Sequence, residues 1–330
     1  MTDLVGRWRS AQFMATATSW VDEALTAVGR RRSGPLSERT VRFWAGVYEV
    51  PVTRPDGHGL RVVDRAFFKV GNPGQAFEGE LLQALARLVP GSTVPPWAIE
   101  HGRGWWLLPD AGPAPEATEA VWTECLELVA RLQRACAPHQ GELSMVPLLD
   151  SDTAVGHAVG AVETMAALPP AHPQHLDARR AQALLAGVGR LTTAMDLLGD
   201  TGLPTTLQPN DVHPGNTGRG TDGRLRLFDL GDAFLSHPWA VLSAPLRTTT
   251  GARLRDPLPA SALTRRLLDR YAEHWPEVDR PDRAEVLRAA DRLGALHRAA
   301  SWERLLAPAD PGRLGVPTPL VADWLALALA

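Results

Sequence analysis

One run of the chain narrows its possible folds more than any other. From Gln208 to Asp232 it reads QPNDVHPGN, an eight-residue gap (TGRGTDGR), then LRLFDLGD. Asp211 and Asn216 share a tight loop, and an apolar run returns to Asp229. That spacing suits phosphoryl transfer. A hydroxyl attacking a γ-phosphate needs a carboxylate to orient it and accept its proton, and the triphosphate's charge needs Mg²⁺ held by an amide oxygen and a second carboxylate. Asn, Asp, Pro and Gly are also turn formers, so an Asx-rich surface turn is the competing reading. The apolar leader and the apolar strand ending in Asp229 weigh against it.

Around that run the chain must supply a scaffold, and 330 residues suffice for two lobes with a core each. A formal net charge of -3 gives no support for nucleic-acid binding, which usually shows a basic surplus. No apolar run approaches the roughly 18 residues of a membrane span. The N-terminal MTDLVGRWRSAQ lacks an apolar signal core, so a cytoplasmic location is expected. The two cysteines, Cys125 and Cys136, are too few for a disulfide framework or a cysteine zinc site and read as small buried hydrophobes. Among 34 Lys plus Arg, Lys69 is the single lysine. A GC-rich genome would favour Arg wherever either serves. The two differ where a compact ammonium must meet phosphate oxygens and a glutamate together.

Along the chain, residues 19–32 (SWVDEALTAVGRRR) read as an amphipathic helix opened by Ser19. Three β-like runs follow at 40–46, 47–53 and 60–70, with a turn at Asp56-Gly57. Phe77, Leu81, Leu85 and Leu88 then recur at helical spacing. Two more strands are expected within 97–109. From Asp110 the character changes. AGPAPEA (111–117) reads as a hinge, and periodic apolar segments dominate at 119–136, 150–167, 176–199, 261–275, 282–306 and 318–330. The expected fold class is therefore α+β, with a β-rich N-terminal lobe at 1–110 and a larger helical C-terminal lobe at 111–330.

Lys69 ending a strand, Glu78 opening the next helix, the Asp211–Asn216 loop and Asp229 after a strand together resemble the aminoglycoside phosphotransferase family. This is the small-molecule branch of the two-lobe protein-kinase-like fold. The resemblance runs from about residue 35 to 305. AFFKV and FEGELLQAL are similar to the family's lysine strand and glutamate helix, NDVHPGN to its catalytic loop (usually HGDLHPGN), and LFDLGDAFLSHPW to its metal-binding Asp segment. It implies that Lys69 contacts the α- and β-phosphates while pairing with Glu78. Glu80 competes for that pairing, but Glu78 lies on the helix side bearing Leu82 and Leu85. The resemblance further implies that Asp211 is the catalytic residue, that Asn216 and Asp229 bind Mg²⁺, and that Gly46 sits in the nucleotide-covering turn. Leu107 to Gly112 would offer backbone groups to the base. His213 is expected to shape the loop more than to act as a base. Asp232 reads equally as a supporting or substrate group and as an exposed turn, and Trp105 and Trp106 read as core. No G-x-S-x-G elbow supports serine hydrolase chemistry.

Two departures stand out. The family's His two residues before the catalytic Asp is Pro209 here, which loses a backbone donor and the side-chain bonds. Thr217-Gly218 replaces an apolar pair, which weakens the strand after Asn216. The expected function is transfer of a γ-phosphate from ATP, with GTP left open, to a hydroxyl of a small molecule such as an antibiotic, a sugar or an amino alcohol. From Ser261 onward ten acidic and ten basic residues are mixed, so no acidic block marks a polycation site. The rival is a pseudokinase-like nucleotide-binding module that regulates a partner.

Overall fold

The structure, a computed structural model, describes residues 3–55, 61–250, 258, 261–309 and 320–330. The expected turn at Asp56-Gly57 lies outside these residues. The chain divides into two compact units that are each discontinuous in sequence. The first is Met1–Pro113, Arg219–Gly231 and Arg304–Leu314; the second is Ala114–Gly218, Asp232–Glu303 and Gly315–Ala330. Among the described residues no helix is long and apolar enough to cross a membrane.

The first unit opens with α1 (Leu4–Arg9) and α2 (Ala11–Ala27), followed by β1 (Arg31–Arg32), β2 (Ser37–Arg42), β3 (Ala45–Pro55) and β4 (Arg61–Gly71). Then come α3 (Glu78–Leu88), β5 (Ala98–Glu100) and β6 (Trp105–Pro109). The strands make one antiparallel sheet in the order β1-β3-β4-β6-β5, with β2 also on β3. Side chains alternate across a sheet. Tyr48, Phe68 and Leu107 are neighbours in register and face one side; Val47, Lys69 and Trp106 face the other.

The Tyr48 side is sealed by α1 and α2. Leu4, Trp8, Phe13, Ala17, Val21 and Leu25 join Val50, Val52, Ala66, Phe68 and Trp105 in one core. Phe13 and Phe68 each meet Trp105 edge-on, with centroids 5.5 and 5.4 Å apart. Each such aromatic contributes about 1.5–3 kcal/mol by leaving water. The helix expected at 19–32 therefore starts earlier and ends earlier. Ser10, not Ser19, caps α2 by accepting from the Phe13 N–H at 3.2 Å. The sequence hides this start because alanines, Ala17 and Ala24, fill part of the buried stripe.

Asn72, fully buried after β4, ties distant backbone together. Its Nδ2 donates to the Phe43 and Leu305 carbonyls, both at 3.0 Å, and its N–H donates to Trp44 O at 2.9 Å. Gly112 is fixed as firmly. Its φ is +87°, and a Cβ there would lie 2.0 Å from the Arg219 carbonyl oxygen. The start of the expected 111–117 hinge is thus pinned against residue 219. Gly112→Ala is expected to cost at least about 1–3 kcal/mol from the backbone conformation alone, read as a lower thermal unfolding midpoint.

The remaining elements, in chain order, are α4 (Glu119–Cys136), α5 (Ser151–Ala167), α6 (Ala178–Leu185), α7 (Val188–Asp200) and β7 (Thr206–Gln208). They continue as β8 (Thr217–Arg219), β9 (Leu225–Leu227), β10 (Phe234–Ser236), α8 (Ser243–Thr250), α9 (Ala262–Ala272), α10 (Arg283–Leu306) and α11 (Leu320–Ala328). Within the second unit β7 pairs antiparallel with β10. Asp150 and Thr153 form a reciprocal capping box on α5. Gln133 of α4 is fully buried but satisfied: it donates to Pro238 O at 3.0 Å and accepts from the Tyr271 hydroxyl at 2.6 Å. Cys125 and Cys136 are buried on α4, and burial pushes the Cys136 thiol up to about 12.

His237, from the His-Pro of the sequence motif, sits in the same interior. Its Nδ1 accepts from the Trp239 N–H at 3.3 Å and its Nε2 faces the Thr201 hydroxyl at 3.1 Å. Burial, aided by His297, pushes it down to about 3. The folded state therefore refuses a proton that the unfolded chain takes near pH 6.5. Stability from this group is full above pH 6.5 and falls toward pH 3 by about 1.4 kcal/mol per pH unit. Urea unfolding at a series of pH values should show a flatter acid slope in His237→Gln.

Candidate active site

In the first unit, β4 delivers Lys69 and the first turn of α3 delivers Glu78. The Lys69 ammonium lies 2.9 and 2.8 Å from the two Glu78 oxygens and also bonds Asp229 Oδ1. Glu80, the competing partner, turns away to His101 Nδ1 at 2.6 Å. The cause is helical phase: Glu78 shares the buried side of α3 with Leu81, Leu82 and Leu85, and Glu80 does not. Trp106, fully buried across the strand from Lys69, places its ring 5.4 Å from the ammonium. Trp105 belongs to the core on the other face, so both tryptophans are core residues.

Asp229 is held by backbone geometry. Its φ is +62°, a region Asp tolerates better than most residues. The next peptide N–H, from Leu230, donates to Glu78. Gly231 follows because the chain passes against Gln75 and Glu78: a Cβ there would lie 2.9 Å from Gln75 Cδ and 3.1 Å from Glu78 Oε2. One ammonium thus serves two carboxylates of unequal exposure, since the Glu78 side chain is 1% exposed and that of Asp229 53%. Burial pushes Glu78 up to about 7, and Lys69 offsets this only partly. Burial also opposes the charge on Lys69, but Asp229 and Glu78 together hold its pKa above the ordinary value.

In the second unit, β7 ends at Gln208 and the chain turns sharply. Asn210 adopts φ +65°, and the Asp211 N–H donates to Pro209 O at 2.9 Å. The Pro214–Asn216 turn closes the loop, with Asn216 N–H donating to His213 O at 2.9 Å and Asn216 Nδ2 to Asp211 O at 2.9 Å. That bond fixes the amide plane and leaves its oxygen as the remaining acceptor. Thr217 is buried and its hydroxyl bonds Pro214 O at 2.8 Å, so a three-residue strand forms at 217–219 despite Gly218.

The structure also shows what accompanies Pro209. The buried Gln208 side chain accepts from the Asn210 N–H, and its Nε2 lies 3.4 Å from His297 Nδ1 on α10. His297 is anchored in turn to Leu149 O at 2.8 Å and the Ser236 hydroxyl at 2.9 Å, and stacks on Phe234. Next to it, Arg298 Nη2 lies 3.5 Å from Asp211 Oδ1 and Nη1 lies 3.1 Å from Asp232 Oδ2. Asp232 also accepts from the Ser301 hydroxyl. Asp232 is therefore a supporting group and not an exposed turn. His213 Nε2 stands 3.9 Å from Asp211 Oδ2, too far for a hydrogen bond.

Gly46 requires a correction. The turn between β2 and β3 is Phe43-Trp44, and Gly46 lies inside β3 opposite Val70. A Cβ on it would meet Val70, Tyr48 and Trp8 at 2.9, 3.3 and 3.6 Å. Close packing under α1, on the face opposite Lys69, explains this glycine. Gln208 heads the motif but carries no mark of its role there, and His297, Arg298 and Ser301 are silent in the sequence. The only signal of these last three is their polar positions on a helix some 80 residues beyond the loop, which no motif connects to it.

Among the described residues, no group of three or more His, Cys, Asp and Glu side chains could hold a metal ion. Magnesium carried by a nucleotide needs less, typically one or two protein oxygens beside phosphates and water. The half-exposed Asp229 carboxylate and the Asn216 amide oxygen have that chemistry.

A curled antiparallel sheet bearing a Lys–Glu–Asp cluster, with a helical region bearing an Asp–Asn loop, defines the protein-kinase-like fold. Solved structures of small-molecule phosphotransferases and kinases share it. A macrolide 2'-phosphotransferase type I matches at TM-score 0.54 and 14% identity, over 90% of this chain and 96% of that one. The GDP and kanamycin complex of APH(2")-IIia matches at 0.56 and 16%, over 93% and 97%. Choline kinase LicA from Streptococcus pneumoniae matches at 0.54 and 13%, over 89% and 92%. These neighbours are consistent with the aminoglycoside phosphotransferase family in the protein-kinase-like fold. No protein-family model and no curated protein matches the sequence.

Proposed function

We propose that the chain is an ATP- and Mg²⁺-dependent phosphotransferase acting on a hydroxyl of a small molecule. The observation that carries this reading is the Lys69 ammonium held between buried Glu78 and half-exposed Asp229. A structural ion pair gains little from a second carboxylate open to solvent, whereas a phosphate-binding lysine needs one firm anchor and one exchangeable partner. Glu78 is the anchor, and nucleotide phosphates exchange with Asp229 on Lys69. Asp229 of the first unit and Asn216 of the second would each offer an oxygen to Mg²⁺, which would neutralise phosphate charge. Asp211 orients the acceptor. The hydroxyl oxygen bonds to the γ-phosphorus, the bond to the bridging oxygen breaks to leave the nucleoside diphosphate, and the hydroxyl proton passes to Asp211. Leu107 to Gly112 offer backbone groups to the base.

The acceptors named for the fold neighbours are macrolide, kanamycin, spectinomycin, choline and ethanolamine, and these define the first panel. ATP–Mg²⁺ is the preferred donor, with GTP tested beside it because GDP occupies one neighbour. Buried thiols on α4 fit a reducing cytoplasm as the proposed setting. Diphosphate release should rise with at least one acceptor. If no acceptor stimulates it while ATP–Mg²⁺ still raises the melting temperature, the regulatory nucleotide-binding module replaces the enzyme. If the nucleotide raises nothing, both readings fail.

A further inference from the structure

We propose that Gln208, oriented by His297, is the positioning residue for Asp211: it clamps the backbone turn from which the catalytic loop departs. The consequence for turnover rests on the phosphotransferase reading, and the clamp itself rests on geometry. Between Leu207 and Asp211 stand three residues, and two of them have little freedom. Gln208 ends a strand and precedes a proline, which keeps it extended. The Pro209 ring fixes its own φ. Asn210 is left as the hinge. It adopts φ +65° inside a tight turn closed by the Asp211 N–H on Pro209 O at 2.9 Å. Three-residue turns of positive φ are rare and strained, so they persist only where the surroundings hold them. Here the holding group is the Gln208 side chain, whose oxygen accepts from the Asn210 N–H.

Gln208 can do this in one orientation only, and His297 selects it. Both side chains are fully buried. His297 Nε2 lies 2.8 Å from the Leu149 carbonyl oxygen, which only accepts, so Nε2 carries a proton. At the other end the Asn210 N–H needs an oxygen, so the Gln208 amide turns its Nε2 toward His297 Nδ1, 3.4 Å away. That NH2 group only donates, so Nδ1 bears no proton. A proton on Nδ1 would set donor against donor, and the amide could answer only by turning its own donor onto the Asn210 N–H. The Ser236 hydroxyl, 2.9 Å from Nε2, and Phe234, stacked with centroids 4.8 Å apart, fix the ring. Phe234 and Gln208 are register partners on β10 and β7, so the clamp is built on one strand pair. The side chain one place before Pro209 thus braces the loop that Pro209 itself cannot.

The test compares wild type with Gln208→Leu, which loses both bonds, and Gln208→Glu, which keeps an oxygen for the Asn210 N–H. Transfer is measured on the panel of kanamycin, spectinomycin, choline, ethanolamine and a macrolide, and hydrolysis of ATP with water as acceptor, well below the melting midpoint of each variant. Gln208→Leu should lower kcat by about 10²-fold, the scale of a 1 Å misplacement, with a smaller change in the KM for ATP. Gln208→Glu should recover most of that loss. Two readouts need no turnover. In nitrogen NMR spectra of wild type, His297 should show its proton on Nε2 and none on Nδ1, and Gln208→Glu should add a proton at Nδ1. In a crystal structure of Gln208→Leu, Asn210 should leave the left-handed region. Unchanged kcat in Gln208→Leu, an unchanged Asn210 turn, or a wild-type proton on Nδ1 overturns the proposal. The last is read on wild type alone, so it decides even where Gln208→Leu fails to fold. Wild type inactive with every acceptor and with water overturns the phosphotransferase reading instead, while the His297 proton and the Asn210 turn still decide the clamp.

Discussion

Asp211→Ala is expected to lower phosphate transfer by about 10²–10⁴-fold, the range for losing a positioned acid–base group. Nucleotide binding should survive. Lys69, Glu78 and Asp229 make their bonds to one another without Asp211, so the ATP–Mg²⁺ shift in melting temperature should match that of wild type. The loop should survive as well, because Asn216 Nδ2 bonds the Asp211 backbone carbonyl, which alanine keeps. The Arg298–Asp211 pair is partly exposed and spans 3.5 Å, so its loss costs at most about 1 kcal/mol. Asp211→Asn sharpens the result, since it keeps the shape and removes the base. Quantifying product with a saturating acceptor, together with thermal unfolding, checks both halves. Equal turnover in wild type and both variants would remove Asp211 from the reaction.

Lys69→Met should be the most damaging single change in the first unit. It strips the partner from a buried carboxylate, for which about 3–5 kcal/mol is the usual penalty, and it removes the proposed phosphate contact. The size should depend on pH. Glu78 already stands near 7 because of burial, above its unfolded value near 4.5, so the folded state holds more protons than the unfolded chain in between. Stability from such a group is full below the unfolded value and is lost as pH rises through the folded one. Without Lys69 the folded value rises further, and Glu78 escapes the penalty at pH 6 by staying protonated. The variant should therefore lose more stability at pH 8 than at pH 6, with a slope approaching about 1.4 kcal/mol per pH unit. Lys69→Met/Glu78→Met should regain most of the stability and none of the nucleotide-induced shift. Denaturant unfolding at the two pH values, with and without ATP–Mg²⁺, separates the structural loss from the binding loss.

These residues differ in how plainly the chain announced them. Lys69 was visible because one lysine stands among so many arginines, and Glu78 because helix phase distinguishes it from Glu80. The Asp211–Asn216 loop and Asp229 were visible because turn formers and ligand types coincide over a short stretch. The sheet and most of the helices followed from alternation and from helical spacing. The N-terminal helix was misplaced because Phe13, Ala17, Val21 and Ala24 form a stripe too weakly apolar to stand out. Gly46 was expected in a turn, whereas it lies inside β3, where a Cβ would press on Val70 and Tyr48. Arg298 and His297 could not be read at all: their meaning lies in contacts with residues far back in the chain, and only folding brings those together.

Asn72 carries one more implication, which concerns time. Its buried amide, bonded to Phe43 O, finds its second acceptor only when the Leu305 carbonyl arrives, 233 residues later. At ribosomal rates of about 5–20 residues per second, that interval is on the order of 10–50 s. Until then that amide N–H is served by water, and the Asn72 site beside the Phe43-Trp44 turn cannot be sealed. The first unit is thus started first and closed last, and in a growing chain its sheet stays unfinished until α10 has emerged.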